Sequence, residues 1–121
     1  RITVVPRAPR EIIGLLNLRG RIVTAVCLRR RLGRPVTFRQ DREGKQELVA
    51  VGIDHEGEAY ALIVDAVGEV MRLDQSTFEA VPVHLDRSWA ALATGVHRLE
   101  DRLLVVLDVD AILAIELDAA A

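Results

Sequence analysis

The sequence is poor in cysteine and in aromatic residues. Cys27 is the only cysteine, so no intrachain disulfide can form, and the aromatics are one tryptophan, one tyrosine and two phenylalanines. A lone cysteine within an apolar run is typical of a small core residue in a reducing compartment. Few aromatics and a net charge of −2 exclude the basic, stacking surface of a nucleic-acid binder.

Long hydrophobic runs are also missing. The longest uncharged runs, among them residues 22–28 and 88–96, fall well short of the roughly 20 residues of a membrane span. No basic segment followed by an apolar one opens the chain, so no signal peptide and no direct membrane insertion are predicted. Half of the residues are hydrophobic and 28% are charged, a composition that argues against intrinsic disorder.

Short apolar runs rich in β-branched residues predict a chain made mainly of buried strands. The runs are residues 22–28, 48–53, 59–64 and 103–107, and the alternating segment 67–73 predicts one further strand. The polar residues 54–58 predict a hairpin loop between two of the runs. Weaker signals predict a helical turn over residues 28–32 closed by Gly33, and a C-terminal helix capped by Asp108 that reaches Leu117.

An internal repeat organises these elements. Residues 18–28 align with residues 99–109 at a constant offset, which also brings Gly14 into line with Gly95. In each copy a polar turn precedes a strand that leads into a short helix. The repeat therefore predicts two similar half-domains, at about 1–38 and 47–118, within a single domain spanning 1–121.

The two predicted halves differ in strand number. A hairpin at about residues 47–73 precedes the turn of the second half, and the first half has no counterpart of it. A barrel that lacks two strands exposes unpaired backbone groups along an open edge. We therefore expect the first half to be looser, or to form a homo-oligomer through that edge.

No combination of residues indicates catalysis. His55, His84 and His97 lack metal-ligand spacing, and no glycine-rich phosphate loop is present. No catalytic residue, metal site or cofactor is therefore predicted, and the chain is not expected to be an enzyme. A thiol-dependent enzyme using Cys27 is the alternative from another class, although burial in a strand would keep that thiol inert.

Arginines mark two candidate contact sites. Arg29, Arg30, Arg31 and Arg34 form a basic cluster, which fits either an acidic protein surface or a solvated helix end. The turn Asn17-Leu18-Arg19-Gly20 is expected to place Asn17 and Gly20 at positive φ and to project Arg19 from a rigid position. That guanidinium suits either a partner contact or an internal bracket to a carboxylate, and both alternatives stay open.

Residues 14–33 resemble the signature of the CheW family of bacterial chemotaxis coupling proteins. Residues 61–73, 78–82 and 95–108 agree with the same family in order and spacing, so the resemblance covers essentially the whole chain. In the first copy Cys27 stands where the family usually has Asp, whereas the second copy keeps Asp108. Family members also normally carry a further hairpin before Arg1, so we expect an N-terminally truncated member.

The resemblance implies an all-β fold of two five-stranded Src-homology-3-like β-barrel subdomains. The first would be incomplete, with short connecting helices and a C-terminal helix. It also implies a non-enzymatic adaptor that couples methyl-accepting chemoreceptors to the histidine kinase CheA, in the cytoplasm and recruited to receptor arrays at the inner membrane. The implied partners are the regulatory domain of the kinase and the cytoplasmic tip of the receptor. The implied partner-binding residues are Gly14, Asn17, Leu18, Arg19, Gly20, Val67 and Val70.

The same fold also serves as the regulatory domain of chemotaxis kinases and of receiver-fused coupling proteins, which gives an alternative function. Kinase versions usually differ from this chain over residues 68–73. Together with the Asn-Leu-Arg-Gly turn, that segment favours the adaptor.

Overall fold

The structure, a computed structural model, describes residues 2–36, 39–40, 42–44 and 46–115. The chain divides into two compact units. Unit one contains the described residues up to Val67 together with Ile115, and unit two contains Gly68–Ala114.

Unit one is built on a five-stranded sheet. The strands of this unit are β1 (Ile2–Thr3), β2 (Ile12–Leu18), β3 (Arg21–Cys27), β4 (Arg39–Gln40), β5 (Gln46–Glu47), β6 (Val49–His55) and β7 (Glu58–Val64). The main sheet has the order β1–β2–β3–β7–β6, and β4 and β5 form a separate pair. All neighbours are antiparallel except β3 and β7, which run parallel.

The core of unit one lies along the parallel pair. Ala25 of β3 is opposite Ala61 of β7, and Val26 is opposite Leu62. These four side chains are at most 5% exposed, as expected where continuous apolar strands pair at the centre of a sheet. Helix α1 (Leu28–Arg31) follows β3 directly and ends before Gly33, whose φ of 72° suits a glycine.

Unit two is built on a three-stranded sheet of β8 (Phe78–Glu79), β9 (Ala93–Arg98) and β10 (Leu103–Leu107), with β9 in the middle. Two short helices, α2 (Arg87–Ala91) and α3 (Val109–Leu113), precede β9 and follow β10. Asp108 caps α3 by accepting a hydrogen bond from the Ala111 amide at 3.3 Å. The predicted cap is confirmed, whereas the predicted extension of the helix to Leu117 lies outside the described residues.

The backbone reproduces the internal repeat in detail. The β2–β3 register shifts between Ile12 and Gly14, and the β9–β10 register shifts between Val106 and Leu107, opposite Gly95 and Ala93. The two irregularities are therefore equivalent under the sequence repeat. A bulge at the same place in both copies bends each hairpin at the same point.

The repeated glycines have a steric role. A Cβ on Gly14 would clash with the carbonyl oxygen of Thr3 and lie 2.7 Å from the Ile2 side chain. A Cβ on Gly95 would clash with the Phe78 ring and lie 2.7 Å from the Glu79 carbonyl oxygen. Each glycine thus lets a two-residue strand, β1 or β8, cross close to its backbone.

The prediction of an all-β fold with few short helices is confirmed, and the two units fit paired Src-homology-3-like subdomains. Neither sheet closes into a barrel. The hairpin expected in the second half lies in unit one instead, because β7 adds to the edge of β3. The boundary between the two units, at Val67 and Gly68, differs from the half-domains predicted at 1–38 and 47–118, and the incompleteness of the first half stays a prediction.

The strand predicted over residues 67–73 is also wrong, since the structure assigns no strand to this segment. Its alternating residues have no neighbouring strand with which to form a ladder. Val70, at 101% relative exposure, is in contact with solvent throughout.

Candidate functional site

The predicted turn forms a tight hairpin between β2 and β3. Leu18 is opposite Arg21, so Arg19 and Gly20 are the two residues of the loop. Their φ values are 52° and 82°, which is the geometry of a type I′ turn. The Asn17 side-chain oxygen accepts a hydrogen bond from the Gly20 amide at 3.1 Å. Positive φ therefore occurs at Arg19 and Gly20. Asn17, for which positive φ was predicted, lies in strand β2, and its side chain stabilises the turn.

The side chain of Arg19 is exposed. Within the described parts of the chain, its guanidinium makes no hydrogen bond or ion pair. Its neighbour Arg21 does form an ion pair, with Asp54 at 3.4 Å, although both groups are well exposed. The internal bracket considered for Arg19 is therefore absent among these residues, and a cation held on a strained, solvent-facing turn remains.

Arg29, and not Arg19, forms an internal bracket to a carboxylate. Its Nε donates to Asp65 Oδ1 at 2.7 Å, and its Nη1 donates to the carbonyl oxygen of Pro35 at 3.2 Å. The hydrogen bond with Asp65 raises the pKa of Arg29 and lowers the pKa of Asp65 below its usual value. Arg30 donates to the Arg10 carbonyl oxygen at 3.0 Å. These arginines therefore connect segments within unit one.

The other candidate residues of this hairpin differ in exposure. Leu18 is 50% exposed next to the turn. Gly14 is buried beneath β1, so it shapes the hairpin through its backbone and offers no side chain to a partner. Direct contact by the turn would therefore come from the four exposed residues 17–20.

Val67 and Val70 belong to different units. Val67, the last residue of unit one before the boundary, is 63% exposed, and Val70 in unit two is fully exposed. Near Val70, Met71 Sδ accepts a hydrogen bond from Arg102 Nη2 at 3.6 Å. Two exposed valines are available to an apolar partner, as the resemblance implies.

Sequence reasoning missed an exposed apolar face on the sheet of unit one. Ile22 is 68% exposed, and Val49 and Val51 are each 40% exposed. Residues opposite each other, or two apart on one strand, share a face of a sheet. Thr24 is opposite Tyr60, and Tyr60 is opposite Ile53, so the register places Ile22, Val49 and Val51 on the same side of the sheet, with Ile22 towards one end and the two valines towards the other. We call these three residues the apolar face.

The apolar face escaped detection because the strands that carry it are apolar on both sides. Strict alternation of apolar and polar residues would have distinguished a solvated side from a buried one. In β3 the run from Ile22 to Cys27 has only one polar member, Thr24. The sequence therefore predicted burial for all of it, whereas Ile22 is mostly exposed.

Two groups with chemical reactivity, Cys27 and His97, are buried. Cys27 is 1% exposed, so the thiol is inaccessible to a substrate. His97 is 6% exposed, lies 2.8 Å by its Nδ1 from the Thr77 hydroxyl and packs edge-on to Phe78. Over the described ranges, no group of three or more potential ligands is arranged to hold a metal ion.

Comparisons with known proteins define the class. The family model for the CheW-like domain matches residues 1–116, so this chain belongs to the CheW-like domain family. The family consists of non-enzymatic scaffold proteins, which agrees with the prediction that the chain is not an enzyme.

Individual relatives agree with this assignment. The chemotaxis protein CheW of Thermotoga maritima is 30% identical over 112 residues, covering 93% of this chain and 69% of the relative. CheW of Helicobacter pylori is 28% identical over 111 residues, covering 92% and 64%. The chain thus spans about two thirds of the length of these relatives.

A solved structure has the same fold. The scaffolding protein TtCheW from Thermoanaerobacter tengcongensis matches with a TM-score of 0.77 at 25% identity, covering 98% of this chain and 77% of that protein. The recognition of a CheW-like protein from sequence is therefore confirmed.

Proposed function

We propose that this chain is a non-enzymatic adaptor that couples methyl-accepting chemoreceptors to the histidine kinase CheA in chemotaxis. The observation that carries the proposal is the match of the CheW-like domain over residues 1–116. The relatives are named as CheW proteins and the solved structure as a scaffolding protein. These names favour the adaptor over the regulatory domain of a kinase or of a receiver-fused protein.

The apolar face is our candidate for docking the kinase regulatory domain. Three aliphatic side chains exposed on the same side of a sheet lose their contact with water when a partner covers them. The strands beneath them are anchored by the buried Ala25–Ala61 pairing. A contact of this kind is expected to be modest in area and reversible.

The turn that carries Arg19 is our candidate for the receptor tip, together with Leu18, and Val67 and Val70 stay predicted partner-binding residues. An arginine held at positive φ in a two-residue loop is positioned by the backbone, so little conformational entropy of the loop is lost on binding. Its planar guanidinium recognises carboxylates or carbonyl oxygens with several donors at once. The exposed Leu18 beside it adds apolar contact.

The proposed cellular location follows from the proposed partners. We place the protein in the cytoplasm, recruited to receptor arrays at the inner membrane through the receptor tip. No helix in the described part of the chain combines the length and apolar character that crossing a bilayer requires.

Surface plasmon resonance tests the two contacts separately. The regulatory domain of CheA is immobilised on one channel and a receptor-tip hairpin on another, and the chain is passed over both. Ile22→Glu places a charge on the apolar face and should weaken kinase binding at least tenfold. Val83→Glu is the matched control, since Val83 is fully exposed and lies in unit two.

Arg19→Ala should weaken receptor binding and leave kinase binding unchanged. A wild-type chain that binds neither partner would overturn the adaptor function. If Ile22→Glu and Val83→Glu bind CheA equally well, the apolar face is not the kinase contact.

A further inference from the structure

Strand β7 carries a carboxylate at the end of the apolar face where Ile22 lies. Glu58 is opposite His55 on β6, and Tyr60, two residues further along β7, is opposite Thr24 on β3. Residues two apart on a strand share one side of the sheet, so the same parallel register, continued back by two residues, brings Ile22 alongside Glu58. Both are exposed, Ile22 by 68%. A protein that covers Ile22 therefore also covers this carboxylate.

The carboxylate of Glu58 is held by a neighbour on its own strand. The Tyr60 hydroxyl donates a hydrogen bond to Glu58 Oε2 at 3.1 Å. The His55 ring packs edge-on against the Tyr60 ring, with the centroids 6.4 Å apart. Burial of the phenol and the adjacent carboxylate raise the pKa of Tyr60, so the hydroxyl keeps its proton at neutral pH and remains the donor. Glu58 is thus partly ordered in advance, which reduces the entropy lost when a partner binds.

The charge of Glu58 is not balanced on its own side of the sheet. Residues 46–71 contain no lysine or arginine. Asp54 is opposite Ala59 and therefore lies on the other side, where Arg21 pairs with it at 3.4 Å. Within the described part of the chain, Glu58 forms no ion pair. Arg21 therefore neutralises a carboxylate on the far side of the sheet and leaves the side of Glu58 anionic.

Covering an unpaired carboxylate is unfavourable unless the partner supplies a cation. The carboxylate loses hydration beneath the partner, and only hydrogen bonds from a charged or polar group offset that loss. A guanidinium or ammonium group provides charge-assisted hydrogen bonds to the oxygen that Tyr60 does not contact. An apolar or acidic residue in the same place would leave Glu58 desolvated and unpaired. A partner that packs on Ile22 therefore needs a basic residue beside its apolar contact.

We propose that Glu58 is a specificity-determining residue of the kinase contact, which selects a CheA regulatory domain with an arginine or lysine beside the side chains that cover Ile22. The inference rests on the proposed docking of the kinase at the apolar face. Tyr60 is a positioning residue that acts through Glu58. Specificity of this kind comes from the penalty on a wrong partner as well as from attraction to the right one.

Calorimetric titration of the chain with the CheA regulatory domain tests the charge. Glu58→Gln keeps the size of the side chain and should weaken binding about fivefold, and Glu58→Lys should weaken it about fiftyfold. Asp54→Asn is the matched control, because it removes a charge from the same hairpin on the other side of the sheet, and it should leave the affinity unchanged. The difference between wild type and Glu58→Gln should shrink as salt rises from about 0.05 M to about 0.5 M.

A double-mutant cycle tests the positioning role of Tyr60. Tyr60→Phe removes only the hydroxyl and should weaken kinase binding about threefold in the wild-type chain. In a Glu58→Ala background the same change should have no effect, because the hydroxyl then has no carboxylate to hold. Equal losses in both backgrounds would contradict the positioning role. Urea unfolding verifies that each variant remains folded.

Charge exchange with the kinase tests the partner's chemistry. Each exposed arginine and lysine of the regulatory domain is changed to glutamate in turn, and every variant is titrated with the wild-type chain and with Glu58→Lys. One of these variants should bind Glu58→Lys about tenfold more tightly than the unmodified domain does. The same variant should bind the wild-type chain more weakly.

The outcomes separate this inference from the docking on which it rests. If Ile22→Glu weakens kinase binding but Glu58→Lys does not, or if no exchanged charge restores binding, the role of Glu58 is wrong and docking at the apolar face stands. If Ile22→Glu binds CheA as well as the control Val83→Glu does, the docking is wrong and the role of Glu58 falls with it. A wild-type chain that does not bind CheA overturns both.

Discussion

Strand β3 enters helix α1 through Cys27, and strand β10 enters helix α3 through Asp108. At both positions the backbone amide donates a 2.7 Å hydrogen bond to the carbonyl oxygen of an equivalent residue, Glu11 in one copy and Leu92 in the other. Only Asp108 adds a side-chain cap, since Cys27 makes none. The backbone of the motif therefore follows the same path with or without the side-chain cap, provided that the strand-to-helix hydrogen bond is made.

The turns of the two copies differ more than the strands. The first has two residues at positive φ and carries Arg19. The second is a wider loop closed by a hydrogen bond from the Leu99 amide to the Arg102 carbonyl oxygen at 2.9 Å, and it carries Glu100 and Asp101. A conserved path between strands thus supports turns of opposite charge, which allows the two ends to recognise different surfaces.

Adding a methyl group at the repeated glycines should have the largest effect. Gly14→Ala and Gly95→Ala each place a Cβ against the short strand that crosses the glycine. Overpacking of this kind costs about 1–3 kcal/mol of unfolding free energy. Gly14 has a φ of 156°, which L residues rarely adopt, so its substitution adds strain. Urea unfolding of both variants measures the two losses.

Gly52→Ala provides the matched control. Gly52 also lies in a strand, β6, but its added Cβ would meet no atom within 4 Å. The unfolding midpoint should stay the same or rise slightly. Equal stability of all three alanine variants would show that β1 and β8 do not pack against the glycines.

Much of the fold could be predicted from the sequence because local signals agreed with tertiary structure. The predicted hairpin turn occurs within residues 54–58, as a two-residue loop of Glu56 and Gly57, both at positive φ. Strand β10 and the cap at Asp108 occur at the predicted residues. In each case the determining contacts lie within a few residues along the chain.

The errors concern long-range pairing. The sequence of residues 49–64 does not indicate whether their hairpin pairs with strands that precede it or with strands that follow it. Parallel addition to β3 depends on contacts between residues about 36 positions apart. The tight turn forms at the residues where the sequence predicted it, and its role as a contact site stays a prediction. The carboxylate bracket considered for Arg19 is formed by Arg29, for which the sequence left a solvated helix end and an acidic partner surface open.

Removing the cap that distinguishes the copies should have an intermediate effect. Asp108→Ala leaves the Ala111 amide without its side-chain acceptor and should cost about 1 kcal/mol of unfolding free energy. Asp108→Asn keeps an acceptor oxygen and should recover most of the loss. Thermal unfolding of the three proteins provides the measurement. An alanine variant as stable as wild type would indicate that the strand-to-helix hydrogen bond suffices in both copies.

Replacement of Arg19 should slightly stabilise the first turn. Arg19→Gly relieves the strain of a non-glycine residue at positive φ. Because glycine also has greater freedom in the unfolded chain, the net gain in unfolding free energy is only about 0.5 kcal/mol. Arg19→Ala retains the strain and should not change the midpoint. Chemical denaturation measures both. A clear loss of stability in either variant would mean that the guanidinium stabilises the fold after all.

The bracket between Arg29 and Asp65 should have the smallest effect and a distinctive pH dependence. Both groups are largely exposed, so solvent and salt weaken their attraction. Because Arg29 lowers the pKa of Asp65 below 3.8, the stabilisation is present above that pH and is lost as pH falls through the lowered pKa. Asp65→Asn should therefore have a melting temperature slightly below that of wild type at pH 7, and the difference should shrink below about pH 4.

Asp101→Asn is the control, since the contact of Asp101 with Arg102 is a 4.0 Å approach of an exposed carboxylate. A difference between Asp65→Asn and wild type that stays constant down to pH 2 would show that Asp65 acts through packing and not through its charge.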